Sequence, residues 1–212
     1  MKQNVQAKAG KKAVTSSGKI RFMTQVGMLS ALAAVLMLIE VPLPFLAPPF
    51  YKLDLSELPV LIGAMAMGPL AGVVIEFIKI LIHLVMKGSQ TAMVGEVANF
   101  IIGCSLVVPA SVIYKMKKTR KRAVIGMMTG TVFMAFVGCF LNALVLLPAY
   151  AKAFGAPIET FIEMGSAINP NINGVWSFVF IAVAPFNIVK GFVVSLATLL
   201  LYKHISRLLK EQ

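Results

Sequence analysis

Charged residues are scarce in this chain. Of its 212 residues only 13% are charged, while 58% are hydrophobic, and the mean hydropathy is +0.87. Soluble domains carry about 25% charged residues, so this composition excludes an ordinary water-soluble domain. The sequence also lacks the GxxxxGK[ST] and GxGxxG motifs, and we therefore expect no nucleotide-binding site in it. Any work driven by ATP would have to be done by another polypeptide.

Cysteine and histidine are equally rare, with two of each. Cys104 and Cys139 fall in apolar runs without CxxC spacing, which favours two buried thiols. His83 and His204 are far apart in the sequence, and no HExxH motif is present. The sequence therefore predicts no metal site and offers no catalytic metal chemistry.

Long apolar runs separated by basic clusters are what the chain does contain. Six Lys or Arg residues lie in the first 21 positions, six lie between Lys115 and Arg122, and three lie between Lys203 and Lys210. The net charge of +12 would also suit nucleic acid. Basic clusters beside apolar runs are, however, the positive-inside signal of membrane proteins. We expect the lipid bilayer to be the surroundings of this chain and nucleic acid not to be a partner.

The apolar runs predict an all-α integral membrane protein with six transmembrane helices. They are Phe22–Val41, Leu58–Met67, Ala71–Met86, Val94–Tyr114, Ala123–Tyr150 and Val175–Tyr202. If all three basic clusters are cytoplasmic, an even number of spans must separate each cluster from the next. Four spans between the first and second clusters and two between the second and third satisfy this condition. Gly68 and Pro69 favour splitting the second run from the third. Both termini are then cytoplasmic.

This topology gives one membrane domain and two tails. Residues 22–203 form the six-helix domain, residues 1–21 are predicted to be a basic, disordered cytoplasmic tail, and residues 204–212 a second cytoplasmic tail. The loops at 42–56, 87–93 and 151–174 are expected outside.

Polar residues collect in these outer loops and in the outer halves of the spans. Glu40 ends the first span, and Asp54 and Glu57 begin the second. Asn187 and Lys190 share one face of the last helix, after Pro185, which should kink it. Charge in hydrocarbon is costly, so Lys190 needs a partner: Glu76, Glu96 or an oxygen of a ligand. The pattern predicts an outward-facing pocket for a polar small molecule.

Three further features of the sequence leave alternatives open. The segment from Pro42 to Pro59 holds five of the eleven prolines, which suits either a stiff lid carrying Phe45, Phe50 and Tyr51 or an ordinary turn at the membrane surface.

Glu76, Lys79 and His83 lie on one helix face, where Glu76 and Lys79 could pair with each other or serve a ligand.

Small residues form overlapping small-xxx-small pairs on the first helix, a pattern that lets another helix approach closely. They are Gly27, Ser30, Ala31 and Ala34. This face could dock a separate subunit or pack against the chain's own helices.

Several blocks together resemble the riboflavin-specific substrate-binding subunits, or S components, of energy-coupling factor (ECF) vitamin transporters. The matching blocks are IEVPLPF, KLDLSELPVLIGAMAMGPLAGVVIEFIK, GSQTAMVGEVANF and PFNIVKG, together with Asn142. They cover most of the chain from residue 22 onward, and the second block is the most specific of them.

The resemblance implies a multi-pass protein of the bacterial plasma membrane that captures riboflavin from outside. Riboflavin is then the transported ligand rather than a cofactor, and no residue is catalytic. The implied partners are a transmembrane coupling subunit and two cytoplasmic ATPases. Residues carried over as ligand contacts are Glu40, Lys52, Asp54, Ser89, Glu96, Asn99, Asn142, Asn187 and Lys190. Leu43 joins them as part of the apolar lid expected to cover the flavin ring.

Other functions remain open at this point. The chain could be an S component for FMN or for another vitamin. An acidic rim at the pocket would disfavour the phosphate of FMN, although Lys52 and Lys87 weaken that argument. An intramembrane enzyme using Glu76, Glu96 and His83, or an ion-coupled transporter working alone, would belong to different classes.

Overall fold

The computed structural model describes residues 16–89 and 91–210, with side chains over 18–89 and 91–201. This part of the chain forms nine α-helices and one short pair of antiparallel strands, β1 and β2. The helices are α1 Ser16–Met37, α2 Glu57–Met67, α3 Pro69–Lys87, α4 Val94–Met116, α5 Arg120–Leu141, α6 Leu147–Phe154, α7 Ile158–Ser166, α8 Val175–Phe178 and α9 Ala184–Lys210. The strands are β1 Val41–Pro42 and β2 Lys52–Leu53.

Five stretches of the described chain are long and apolar enough to cross a membrane. They are Gly18–Met37, Pro69–Lys87, Val94–Met116, Arg120–Phe154 and Val175–Leu201, and the shorter apolar helix α2 accompanies them. Large apolar side chains such as Phe77, Phe133 and Leu200 stand exposed on the outside of the bundle. An apolar exterior of this kind suits lipid rather than water. The molecule is therefore an all-α, multi-pass membrane protein.

The predicted break between the second and third apolar runs is confirmed. Gly68 has φ +105°, a region that favours glycine, and its N–H bonds to the carbonyl of Ala64 at the end of α2. Pro69 then opens α3, at the first helical position, where a missing N–H costs nothing. The pair thus ends one helix and begins the next.

Two helices continue through a π-helical turn rather than ending. Residues Asn142–Leu146 join α5 to α6, and Val179–Val183 join α8 to α9. Each turn ends two residues before a proline, Pro148 or Pro185. Proline lacks a donor and crowds the preceding turn, and a π turn is one way for a helix to accommodate it. The kink expected at Pro185 therefore takes the form of a widened turn ahead of it.

The ends of the chain and the outer loops are more ordered than the sequence suggested. Residues 1–15 of the predicted tail lie outside the described residues, but residues 16–21 already belong to α1. At the other end, α9 continues to Lys210, so most of the second predicted tail is helical as well. The outer loop predicted at 151–174 contains α7, which buries Phe161.

Candidate ligand-binding pocket

A cavity of about 640 Å³ lies at one end of the bundle. Its wall is built from the segment after α1, the outer end of α3, the start of α4, the helices α6 and α7, and α9. Ligand sites for small molecules commonly have about this volume, with apolar walls and a few placed polar groups.

Most of the predicted ligand contacts line this cavity. They are Glu40, Lys52, Asp54, Glu96, Asn99, Asn142, Asn187 and Lys190. Leu43 and Ser89 do not reach it: Leu43 packs into the apolar cluster behind the wall, and the Ser89 hydroxyl donates to Glu96 Oε2 at 3.0 Å. The structure thus brings together residues from four distant parts of the sequence, while their contact with a ligand stays a prediction.

Glu40 at the rim of the cavity is paired with two lysines. Glu40 Oε2 lies 2.8 Å from Lys52 Nζ and 2.5 Å from Lys87 Nζ. Partial burial raises the pKa of Glu40, but the hydrogen bonds and charges of both lysines outweigh it and lower that pKa overall. With Glu96, which also lines the cavity, two carboxylates and two lysines balance each other if all are ionised. The expected acidic rim is therefore not present, and it gives no ground for excluding a phosphate.

Lys190 is held in the wall by an ion pair with Asp54. Its Nζ lies 3.1 Å from Asp54 Oδ2 and 3.6 Å from Glu57 Oε1. The prediction that Glu76 or Glu96 pairs with Lys190 is wrong. The segment before α2 folds back over α9 and places Asp54 and Glu57 nearer to Lys190.

Asp54 also accepts the backbone N–H of Ser56 at 2.8 Å. Burial acts to raise the pKa of Asp54. The positive charges of Lys190 and Lys79 and the hydrogen bonds from Ser56 act more strongly, so its pKa lies below the ordinary value. Asp54 is thus ionised at neutral pH, as its partner requires.

Aromatic side chains form one wall of the cavity. Phe50 lies 4.7 Å from Tyr51 and 6.0 Å, edge-on, from Phe161, measured between ring centroids, and Tyr51 lies 5.5 Å from Phe186. Of the aromatics assigned to the lid, Phe50 and Tyr51 reach the cavity, whereas Phe45 is 76% exposed and points away.

Tyr51 also connects this wall to the π-helical turn. Its hydroxyl donates to Asn142 Oδ1, and Asn142 Nδ2 donates to the carbonyl of Gly138 at 2.7 Å. Burial raises the pKa of Tyr51 well above its ordinary value, so the phenol stays protonated and can donate. The Asn142 amide is consequently fixed in one orientation.

Several lining residues were not predicted from the sequence. Phe161 and Met164 come from α7, a stretch interpreted as loop, although the apolar spacing of Ile158, Phe161 and Ile162 is helical.

His83, which the sequence places on one helix face with Glu76 and Lys79, was not among the predicted ligand contacts. It is 5% exposed, lines the cavity, and neither ring nitrogen has a hydrogen-bond partner among the described residues. A buried imidazole without partners is costly, so its nitrogens are available to a ligand.

The small-residue face of α1 divides into two. Ser30 and Ala34 are fully buried inside the chain, and the Ser30 hydroxyl donates to the carbonyl of Val26 at 2.8 Å. These two residues therefore serve internal packing and not a docking surface. Gly27 and Ala31 lie on the exposed side of the helix.

Behind the pocket, Glu76 and Lys79 pair within α3. Lys79 Nζ lies 2.6 Å from Glu76 Oε1 and 3.2 Å from Glu57 Oε1, and all three side chains are fully buried. The internal pairing predicted as one alternative for Glu76 and Lys79 is thus present. Glu76 does not line the cavity, unlike Glu96 and His83.

Residues 21–202 match the family described as ECF transporter, substrate-specific component. The chain belongs to this family. It is 34% identical over 186 residues to the riboflavin transporter RibU of Staphylococcus aureus (strain TCH60), covering 88% of this chain and 90% of the relative. It is 31% identical over 195 residues to the riboflavin transporter FmnP of Bacillus subtilis (strain 168), covering 92% of this chain and 96% of the relative.

A solved structure described as the S component of a bacterial ECF transporter has the same fold. The TM-score is 0.71 at 33% identity, over 91% of this chain and 99% of that one. Family and relatives are transport components and not enzymes, so the intramembrane-enzyme alternative is set aside.

Proposed function

We propose that this protein captures riboflavin from outside the bacterial plasma membrane and delivers it through an ATP-driven ECF complex. The observation that carries the proposal is the cavity, which combines an aromatic wall with amides and a lysine in a family of transporter components. The relatives named as riboflavin transporters support the choice of ligand.

The chemistry of the cavity suits the two ends of riboflavin. Its flat tricyclic ring needs apolar surfaces, which the Phe50–Phe161 wall offers. The carbonyl and imide edge of the ring needs donors and acceptors together, and Asn142, Asn187 and Lys190 all line the cavity. The hydroxyl chain needs acceptors such as Glu96.

The position of the cavity supports capture from outside. Helix α4 begins beside the cavity and ends at Met116, next to the basic cluster of residues 115–122. Its 23 residues span about 34 Å, which is about the thickness of the hydrocarbon core. The basic cluster marks the cytoplasmic side, so the cavity opens on the other side. In this topology α2 is a sixth, short span, and both termini are cytoplasmic.

The partners follow from what the chain lacks. Its sequence carries no nucleotide motif, so the energy for release must come from separate ATPase subunits joined through a membrane coupling subunit. The exposed pair Gly27 and Ala31 offers a smooth surface on α1 where a partner helix could approach closely.

Flavin fluorescence provides the first experiment. Purified protein is titrated with riboflavin, with FMN, and with lumichrome, which lacks the hydroxyl chain. Saturable quenching that is tightest with riboflavin is expected. Absence of quenching with all three would remove the flavin proposal while leaving the fold and family unchanged.

Uptake tests the coupled part of the proposal. Membrane vesicles containing this protein alone should bind riboflavin without accumulating it, and vesicles that also contain the coupling subunit and ATPases should accumulate it when ATP is supplied. Accumulation by the protein alone would contradict the dependence on partners.

A further inference from the structure

Five ionisable side chains form one buried cluster that extends from the pocket wall into the core of the bundle. They are Asp54, Glu57, Glu76, Lys79 and Lys190, and each is at most 6% exposed. Ion pairs link them in a chain: Glu76 to Lys79, Lys79 to Glu57, Glu57 to Lys190 and Lys190 to Asp54. Three acids and two lysines leave the cluster with one negative charge if all five are ionised.

No other cation among the described side chains lies at ion-pair distance from these acids. From α4 the cluster faces Gly103 and the thiol of Cys104, and Ser56 adds a hydroxyl that accepts from Lys79 Nζ at 3.1 Å. On the pocket side, His83 experiences the charges of Glu40, Lys87 and Glu96 as well as that of Asp54. An unpaired charge in this setting is strongly unfavourable, so the excess charge must be removed.

The carboxyl groups of Glu57 and Glu76 face each other across Gly103. A Cβ placed on Gly103 would lie 2.5 Å from Glu76 Oε1 and 3.0 Å from Glu57 Oε2, so both oxygens crowd one point. Glu57 Oε2 and Glu76 Oε2 are buried without a hydrogen-bond partner, while Glu76 Oε1 lies 2.6 Å from Lys79 Nζ. Two ionised carboxylates so placed would repel each other, whereas a single proton between them supplies the missing donor.

We propose that Glu57 and Glu76 bind one proton between them, which makes the five-residue cluster electrically neutral. Asp54 is not the acid that holds it, because Asp54 accepts from both Lys190 and the backbone of Ser56. The site is a proton-binding site in the core of the bundle, joined to the ligand pocket through Lys190. It depends on no particular ligand and stands apart from the proposed function.

Infrared spectroscopy of the full chain in lipid vesicles tests the proposal. A protonated carboxylic acid has a carbonyl stretching band that an ionised one lacks, and this band shifts in deuterated water. The band should be present at neutral pH and should disappear in both Glu57→Gln and Glu76→Gln. Either substitution leaves two acids facing two lysines, so the remaining glutamate no longer needs the proton.

Two controls separate charge balance from general disturbance. Glu159→Gln removes an exposed carboxylate on α7 and should leave the band unchanged. The double variant Asp54→Asn with Lys190→Met removes one acid and one lysine, so the excess charge persists and the band should remain.

Absence of the band from the unaltered protein overturns the proposal, even if a variant fails to fold. Persistence of the band in a folded Glu57→Gln or Glu76→Gln protein also overturns it, because the proton would then belong to one acid alone or to another group.

Discussion

Replacing Lys190 with methionine should destabilise the protein strongly. The substitution keeps the length of the side chain but removes the ammonium group that lies 3.1 Å from Asp54 Oδ2. Asp54 is only 4% exposed, so its carboxylate stays buried and keeps only Ser56 as a close hydrogen-bond donor.

The size of the expected loss of stability follows from the burial of the ion pair between Lys190 and Asp54. Breaking a buried ion pair by removing one partner costs about 3–5 kcal/mol, because the other charge stays buried and uncompensated. An exposed pair contributes about 0–1 kcal/mol. The rim pair of Lys52 with Glu40 provides the matched control, since the Lys52 side chain is 33% exposed and Glu40 keeps Lys87. Lys52→Met should therefore lower the free energy of unfolding by no more than about 1 kcal/mol.

The measurement is reversible unfolding in mixed micelles, followed by circular dichroism, for Lys190→Met, Lys52→Met, Asp54→Asn and the double variant Asp54→Asn with Lys190→Met. The double variant buries neither charge and should be more stable than Lys190→Met alone. Equal stability of Lys190→Met and Lys52→Met would refute the argument from burial. The argument would also be refuted if the loss of stability in the double variant were simply the sum of the losses in Asp54→Asn and Lys190→Met.

Four further predictions concern the pocket, the core and the surface. Asp54 contributes stability that is present above its ordinary pKa of 3.8 and is lost as the pH falls through its lower folded value, so acid titration of Asp54→Asn should show a flatter unfolding profile than the unaltered protein. His83→Leu should weaken riboflavin binding about tenfold in fluorescence titration, or about 1.4 kcal/mol, while His83→Asn retains more of it; unchanged affinity in both would remove His83 from the site. Gly103→Ala should cost about 1–3 kcal/mol in the same unfolding assay, because its Cβ would meet a carboxylate oxygen at 2.5 Å, and an unchanged stability would contradict that contact. Ala31→Leu should leave binding intact but reduce ATP-driven uptake, whereas Met28→Leu, exposed on the same helix, should reduce neither; normal uptake by Ala31→Leu would show that Ala31 does not dock the partner.

Much of the fold was predictable because it depends on local or collective properties of the chain. Long apolar runs need hydrogen-bonded helices in lipid, and Gly68 with Pro69 ends one helix and starts the next whatever surrounds them. Helix α7 was missed because its apolar spacing covers only nine residues between Pro157 and Asn169, which is too short to stand out from a loop.

The residues of the pocket were predictable as a set, but their contacts were not. A lysine such as Lys190 in an apolar helix signals a buried partner, and the sequence contains several acids at a suitable depth. Asp54 rather than Glu76 pairs with Lys190 because the segment between α1 and α2 returns across α9. Asp54 and Lys190 are 136 residues apart in the sequence.

The sequence by itself determined that this is a helical membrane protein with polar groups at one end, since composition, apolar runs and basic clusters act through the bilayer and not through particular contacts. Only the tertiary structure decided which charges meet. It placed two lysines on Glu40, which removes the acidic rim that the sequence predicted, and it turned Ser30 inward while leaving Ala31 exposed. It also set Glu57 against Glu76, because close packing at Gly103 fixes distances that no spacing along the chain can express.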